Sequence, residues 1–293
     1  MPTTKIRGAG VALVTPFNSY GNVDYPALKR VTEFTISQGI DFLVALGTTA
    51  ETPTLDQEEK QEIVQVILET NNGRKPVVLG IGGNDTRAVV KQIGEQSFKG
   101  IDYLLNVAPY YNKPNQTGLY RHFEAIADSS QVPVILYNVP GRTGSNIAAD
   151  TTLRLANDKR NIVATKEASG NFDQIMAILR DRPEGFSVLS GDDALTLPIL
   201  ALGAEGVISV VANACPDRMT RMVKAMDEGD INKAQKLHYE MLELIRLIFA
   251  EGSPAGIKAA LKHLGLCDEN VRLPITPVSE TLSIQIRDYL KTM

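Results

Sequence analysis

Eight short apolar runs, most of them rich in Val and Ile, recur along this chain with an amphipathic stretch after each. That alternation restricts the fold more than any other feature. The runs cover residues 11–15, 41–46, 77–81, 103–107, 134–137, 162–166, 187–190 and 206–210. Continuous β-branched runs of this length mark parallel strands buried on both faces. Successive runs start roughly 20–35 residues apart, the length of one strand–helix unit. The segments between them have helical character. Residues 56–68 open with an acidic turn that suits the helix dipole, and their apolar positions fall late and on one side. Asp24 stands as an N-cap ahead of Tyr25 and Pro26. Gly39, Pro76, Gly100, Pro133 and Gly206 punctuate the approach to strands. Eight evenly spaced units predict an α/β chain closed into a (β/α)8 TIM barrel rather than an open doubly wound sheet. No sequence repeat points to a solenoid.

The barrel is assigned to residues 1–227 and a helical C-terminal extension to 228–293. Residues 231–250 hold neither Pro nor Gly and carry Leu, Met, Ile and Phe at helical spacing, so one long helix is expected there. Helices are also expected over 257–264 and 279–291, after a break at 252–256.

Composition excludes several function classes. A net charge of −4 without a long basic run argues against a nucleic-acid partner. No apolar stretch approaches the roughly 18–20 residues of a membrane span, and the first residues show no signal-peptide core. Two cysteines, Cys215 and Cys267, and three scattered histidines give neither a disulfide framework nor a zinc motif. A reduced, cytoplasmic setting is expected, with no bound metal.

In a (β/α)8 barrel the active site forms at the carboxyl ends of the strands. Lys166 ends the sixth run, on the same face as Ile162 and Ala164 by period two. An amine drawn out of water favours its neutral form, and a neutral amine attacks a ketone to form a Schiff base. The alternative is a lysine that snorkels outward and pairs with Glu167. Tyr137 ends the fifth run, one strand–helix unit earlier, on the face of Ile135. Adjacent parallel strands lie about 4.8 Å apart, so the two side chains can meet, and a phenol there can shuttle protons. Thr48 and Thr49, in a Gly-led turn, offer hydroxyls and amides to a carboxylate, or else cap a helix. Arg142, in a Pro-Gly-Arg-Thr-Gly loop, is either a bidentate carboxylate clamp or a solvated loop residue. Gly80, Gly82 and Gly83 do not complete a dinucleotide motif. Asp192 and Asp193 would repel a phosphate in the loop where such barrels usually bind one; they serve as helix caps or, less well supported, as metal ligands. Met219, Met222 and Met226 fit helix packing.

Taken together these stretches resemble the dihydrodipicolinate synthase (4-hydroxy-tetrahydrodipicolinate synthase) family within the N-acetylneuraminate lyase superfamily. The matching motifs are Leu-Gly-Thr-Thr-Ala-Glu-Thr-Pro-Thr-Leu at 46–55, Pro-Tyr-Tyr-Asn-Lys-Pro at 109–114 and Leu-Tyr-Asn-Val-Pro-Gly-Arg-Thr-Gly at 136–144. Lys-Glu-Ala-Ser-Gly at 166–170, Ser-Gly-Asp-Asp at 190–193 and Gly-Val-Ile-Ser-Val at 206–210 complete the set. The resemblance implies that Lys166 forms a Schiff base with pyruvate and that Tyr137 relays protons. Thr48 and Tyr111 complete the relay, Tyr111 reaching in from a neighbouring subunit. Thr49 and Ile208 contact pyruvate, Arg142 binds the carboxylate of aspartate semialdehyde, and Gly191 lines the pocket. It implies no cofactor beyond the covalent link to pyruvate on Lys166. The implied assembly is a homo-oligomer, a tight dimer that pairs into a tetramer.

Two departures stand out. Ala50 replaces the usual Gly. Lys60 and Ala88 stand where lysine-inhibited members carry the His and Glu of a regulatory site, although Asn84 and Tyr110 are retained. Weak or absent inhibition by lysine is therefore expected. Two other readings remain open from sequence: a sister aldolase for N-acetylneuraminate or 2-keto-3-deoxy sugar acids, and a barrel that binds pyruvate or an amino acid without catalysis.

Overall fold

The eight runs form eight strands that close in sequence order into a barrel. The structure is a computed structural model and describes residues 5–293. The first half runs β1 (Gly8–Ala12), α1 (Tyr25–Ser37), β2 (Phe42–Ala45), α2 (Gln57–Asn71), β3 (Val77–Gly80), α3 (Thr86–Glu95), β4 (Tyr103–Val107) and α4 (Gln116–Ser129). There follow β5 (Val134–Asn138), α5 (Pro140–Thr143), α6 (Ala149–Asp158), β6 (Ile162–Glu167), α7 (Phe172–Asp181), β7 (Ser187–Ser190), α8 (Thr196–Ala201) and β8 (Gly206–Ser209). Helices α9 (Pro216–Asp227), α10 (Ile231–Ala250), α11 (Ala255–His263) and α12 (Glu280–Leu290) end the chain.

The cap expected at Asp24 is in place, and the acidic start of α2 proves to be a capping box. The Asp24 carboxylate accepts from the Ala27 amide at 2.9 Å. Asp56 and Glu59 form a reciprocal capping box at the start of α2. The first strand departs from expectation, covering Gly8–Ala12 rather than 11–15. Two of its first three residues, Gly8 and Gly10, are glycines, which hydropathy passes over. A Cβ on Gly10 would sit 2.0 Å from the Phe42 ring, so the Phe42 side chain can lie across β1 only because Gly10 has none.

The chain groups into two compact units. One holds Val77–Ile208 together with the described N-terminal residues 5–8. Its strands pair in parallel, with Leu105 beside Ile135, Ile135 beside Ala164 and Lys166 beside Leu189. Leu104, Phe123, Leu155, Ile178 and Val188 fill its core. The other holds Ala9–Pro76 and Ser209–Met293. There α10 lays Met241, Leu244 and Ile248 along α9 and α11, and Met219 and Met222 are fully buried, as packing methionines should be. A Cβ on Gly256 would fall 2.1 Å from the Ile248 carbonyl oxygen, so α10 and α11 cross at a point only glycine permits.

One histidine in the first unit makes stability depend on pH. His122 on α4 is buried, and its Nδ1 lies 2.9 Å from the Thr86 hydroxyl. Burial pulls its pKa down to about 4. The folded chain therefore keeps this ring neutral where the unfolded chain protonates it. Its contribution is complete above about 6.5 and is lost as pH falls toward about 4, at up to about 1.4 kcal/mol per pH unit and about 3 kcal/mol in all. Denaturant titrations of wild type and His122→Gln at a series of pH values check this. The stability difference between the two is expected to move against wild type as pH falls through that window, and a pH-independent difference contradicts the account.

Candidate active site

Strand alternation decides which way the lysine points. Lys166 and Glu167 are neighbours on β6, so their side chains leave on opposite faces. Glu167 is fully buried and accepts hydrogen bonds from Asn138 Nδ2 (2.9 Å), the Ser169 amide (3.0 Å) and Gln174 Nε2 on α7 (3.1 Å). It faces the helix layer, and Lys166 therefore faces the barrel interior. The outward alternative, in which Lys166 pairs with Glu167, is not what the structure adopts.

Tyr137 and Lys166 are register partners on β5 and β6. Lys166 is 5% exposed and Tyr137 is buried. The Lys166 side-chain nitrogen sits 4.1 Å from the centre of the phenol ring. Gly191, just beyond β7, makes room for this side chain. A Cβ there would lie 2.9 Å from Lys166 Cε and 2.8 Å from Ala168 Cβ. Ile208 on β8 is buried in the same unit.

The residues following the pair were not singled out from sequence as site residues. Asn138 and Glu167 are also register partners, and the Asn138 amide that donates to Glu167 donates to Asn146 Oδ1 at 2.9 Å as well. Asn138 Oδ1 accepts from the Ile147 amide at 2.9 Å. Burial raises the Glu167 pKa, and the hydrogen bonds it receives oppose that shift. This outward cluster ties the ends of β5 and β6 together directly behind the Tyr137–Lys166 pair. Period two was the available signal, since polar residues one step past each inward partner must meet on the opposite face.

The remaining expected residues are placed as follows. Arg142 is exposed on α5, a single helical turn where a loop was expected. Pro140 starts that turn and Gly144, at φ 68°, ends it. Tyr111 is 87% exposed and has a left-handed φ of 72°. Its amide donates to the Thr143 carbonyl at 3.3 Å. Asn84 and Tyr110 come together, the Asn84 amide donating to the Tyr110 carbonyl at 3.2 Å. Gly82 packs against Val107, where a Cβ would be 2.6 Å from the valine methyl. Asp192 accepts from the amides of Ala194 and Leu195 at 2.9 and 3.2 Å and so closes the turn into α8. Among the described residues no group of His, Cys, Asp and Glu side chains is arranged to hold a metal ion.

In the second unit, Thr48–Ala50 forms a 3₁₀ turn after β2, with Thr48 exposed and Thr49 buried. Neither threonine caps a helix; Asp56 has that role for α2. Ala50 is buried and is flanked by, but not among, the left-handed residues Leu46 and Glu51, so its methyl group is accommodated without backbone strain.

Fold and site together define a (β/α)8-barrel enzyme with a buried lysine–tyrosine pair at the carboxyl ends of its strands. The chain belongs to the dihydrodipicolinate synthetase family, whose profile matches residues 5–293. It is 48% identical over 293 residues to the 4-hydroxy-tetrahydrodipicolinate synthase of Phocaeicola vulgatus, covering 100% of this chain and 99% of that one. The crystal structure of dihydrodipicolinate synthase from Aquifex aeolicus superposes with a TM-score of 0.94 at 42% identity, covering 98% of each chain. A chloride-inhibited dihydrodipicolinate synthase from Acinetobacter baumannii, crystallised with pyruvate, is 40% identical with a TM-score of 0.94 and 98% of each chain covered. Among the described residues no helix is long and apolar enough to cross a membrane.

Proposed function

We propose that this chain is a lyase, a 4-hydroxy-tetrahydrodipicolinate synthase. It joins pyruvate to aspartate semialdehyde at the first committed step toward diaminopimelate and lysine. The observation that carries the reading is the Lys166 nitrogen held 4.1 Å over the Tyr137 ring on the interior face, in a chain that matches synthases along its whole length. In the proposed mechanism the Lys166 amine adds to the pyruvate ketone, and Tyr137 shuttles the protons that let water leave. The resulting iminium acidifies the methyl group, and the enamine carbon attacks the aldehyde. The amino group of the second substrate then closes the ring and releases Lys166. Thr49 and Ile208 hold pyruvate, Arg142 holds the second carboxylate, Thr48 and Tyr111 extend the proton relay, and Gly191 leaves space for the adduct. The covalent link on Lys166 serves as the carrier, with no metal or organic cofactor.

Tyr111 is almost fully exposed, on a backbone held in the left-handed region. That supports a role completed in a neighbouring subunit of a tight dimer, two of which form a tetramer. Cys215 and Cys267 are free thiols, in keeping with a reducing, cytoplasmic setting.

A coupled assay with both substrates, paired with borohydride reduction in pyruvate, tests the reading. Turnover with aspartate semialdehyde and a pyruvyl adduct are expected. An adduct without turnover moves the assignment to sugar-acid cleavage, and no adduct moves it to a non-catalytic binding barrel. Lys60 and Ala88 leave the aligned regulatory positions without their His and Glu, so added lysine is expected to leave the rate nearly unchanged. Strong inhibition at micromolar lysine contradicts that part.

A further inference from the structure

Behind the threonine turn lies a fully buried ion pair. Lys258 on α11 and Glu51 both have side chains with 0% exposure, and Lys258 Nζ is 2.5 Å from Glu51 Oε1. The same ammonium donates to the Asn270 carbonyl at 2.8 Å and lies 4.1 Å over the Phe17 ring. The second Glu51 oxygen accepts from the Arg272 amide at 2.9 Å. The Arg272 guanidinium lies 4.4 Å from the centre of the same Phe17 ring and donates to the Thr54 carbonyl at 2.7 Å. Burial lowers the Lys258 pKa, and Glu51 works against that shift.

Such a pair is a poor way to gain stability, because apolar residues of similar volume do as well or better. Its placement points to another role. Glu51 follows Thr48–Ala50 directly and has a left-handed φ of 55°, a conformation that a residue with a side chain keeps only when its surroundings enforce it. Its amide donates to the Thr48 carbonyl at 3.2 Å, and its own carbonyl accepts from the Thr54 amide at 2.9 Å. The carboxylate is gripped at both oxygens by residues more than two hundred positions away along the chain.

We propose that Lys258 is a positioning residue for the threonine turn. Through Glu51 it fixes the backbone that presents Thr48 and Thr49, and so sets the affinity for the pyruvate carboxylate. The C-terminal helices thereby act on substrate binding and not only on packing. This rests on the reading of Thr49 as the pyruvate-carboxylate residue and of Lys166 as the amine that pyruvate captures.

The test uses the full chain and three variants: Lys258→Met, Glu51→Gln, and the double variant. The double variant removes both charges, so no lone buried charge unfolds it, and Glu51→Gln is nearly isosteric. For each, borohydride trapping on Lys166 is measured against pyruvate concentration, with thermal midpoint and steady-state kinetics alongside. The folded variants are expected to trap pyruvate to the same final extent as wild type. Half-saturation should rise about 10-fold or more, the size of one lost hydrogen bond to a charged group. KM for pyruvate should rise with it while KM for the aldehyde stays put. A purely structural pair would lower the thermal midpoint and leave half-saturation within about 2-fold of wild type, and that result overturns the proposal. Failure of wild type itself to trap pyruvate overturns the pyruvate reading, and the positioning role falls with it.

Discussion

With Lys166 replaced by alanine, the chain is expected to lose condensation by at least about 10⁴-fold in kcat, and borohydride is expected to leave no pyruvyl adduct. The size follows from the role. A residue that forms the covalent intermediate cannot be bypassed by the groups around it, and removal of a nucleophile elsewhere costs on this order or more. The fold should tolerate the change. Lys166 sits in a single strand position over the Tyr137 ring, and the polar cluster behind it is anchored by Asn138, Glu167 and Gln174. Truncation therefore removes one buried side chain without opening that cluster. A thermal midpoint within a few degrees of wild type, with activity gone, separates lost chemistry from lost structure. Substantial residual turnover by the alanine variant would move the amine role away from Lys166.

The strands were readable because apolar β-branched runs have few other uses, and the helices because their caps are local: Asp24, Asp56 and Ser279 all stand where helix starts were expected. β1 was misplaced because it opens on Gly8, at φ 90°, and on Gly10, whose missing side chain leaves room for the Phe42 ring, and no hydropathy pattern reports either. The Lys166–Tyr137 pair was legible because period two and a spacing of one strand–helix unit place both on one face at one level. The same rule applied one residue further would have given Asn138 and Glu167. The Glu51–Lys258 pair was not legible at all. Its partners are 207 residues apart, and a lysine on a C-terminal helix that also carries Lys262 and His263 looks like a solvated residue until the chain is folded. Arg142 shows the same limit on a smaller scale, since Pro-Gly-Arg-Thr-Gly reads equally as a loop or as one turn of helix.

Gly191→Ala should cut kcat by about 10²-fold while the protein stays folded, the rate loss expected when a reacting group is displaced by roughly 1 Å. Glycine is not needed here for its backbone freedom, because Gly191 lies outside the left-handed region. The added methyl group is the whole perturbation. It would meet Ala168 Cβ at 2.8 Å, Lys166 Cε at 2.9 Å and Lys166 Cγ at 3.1 Å. The backbone has little room to retreat, since the Gly191 amide donates to the Glu167 carbonyl at 2.8 Å. Ala168 has no rotamer to change. The flexible member is the Lys166 side chain, so it yields, and its nitrogen leaves the position over the Tyr137 ring. Ala168 Cβ is fixed to the main chain, so that part of the clash is met by a small backbone shift, and a modest fall in thermal midpoint is expected beside the larger loss at the site. Pyruvate trapping should therefore become slow but still reach completion, which distinguishes a misplaced amine from a missing one. Full-speed trapping and turnover by this variant would show that Lys166 has more freedom than its packing against Gly191 allows.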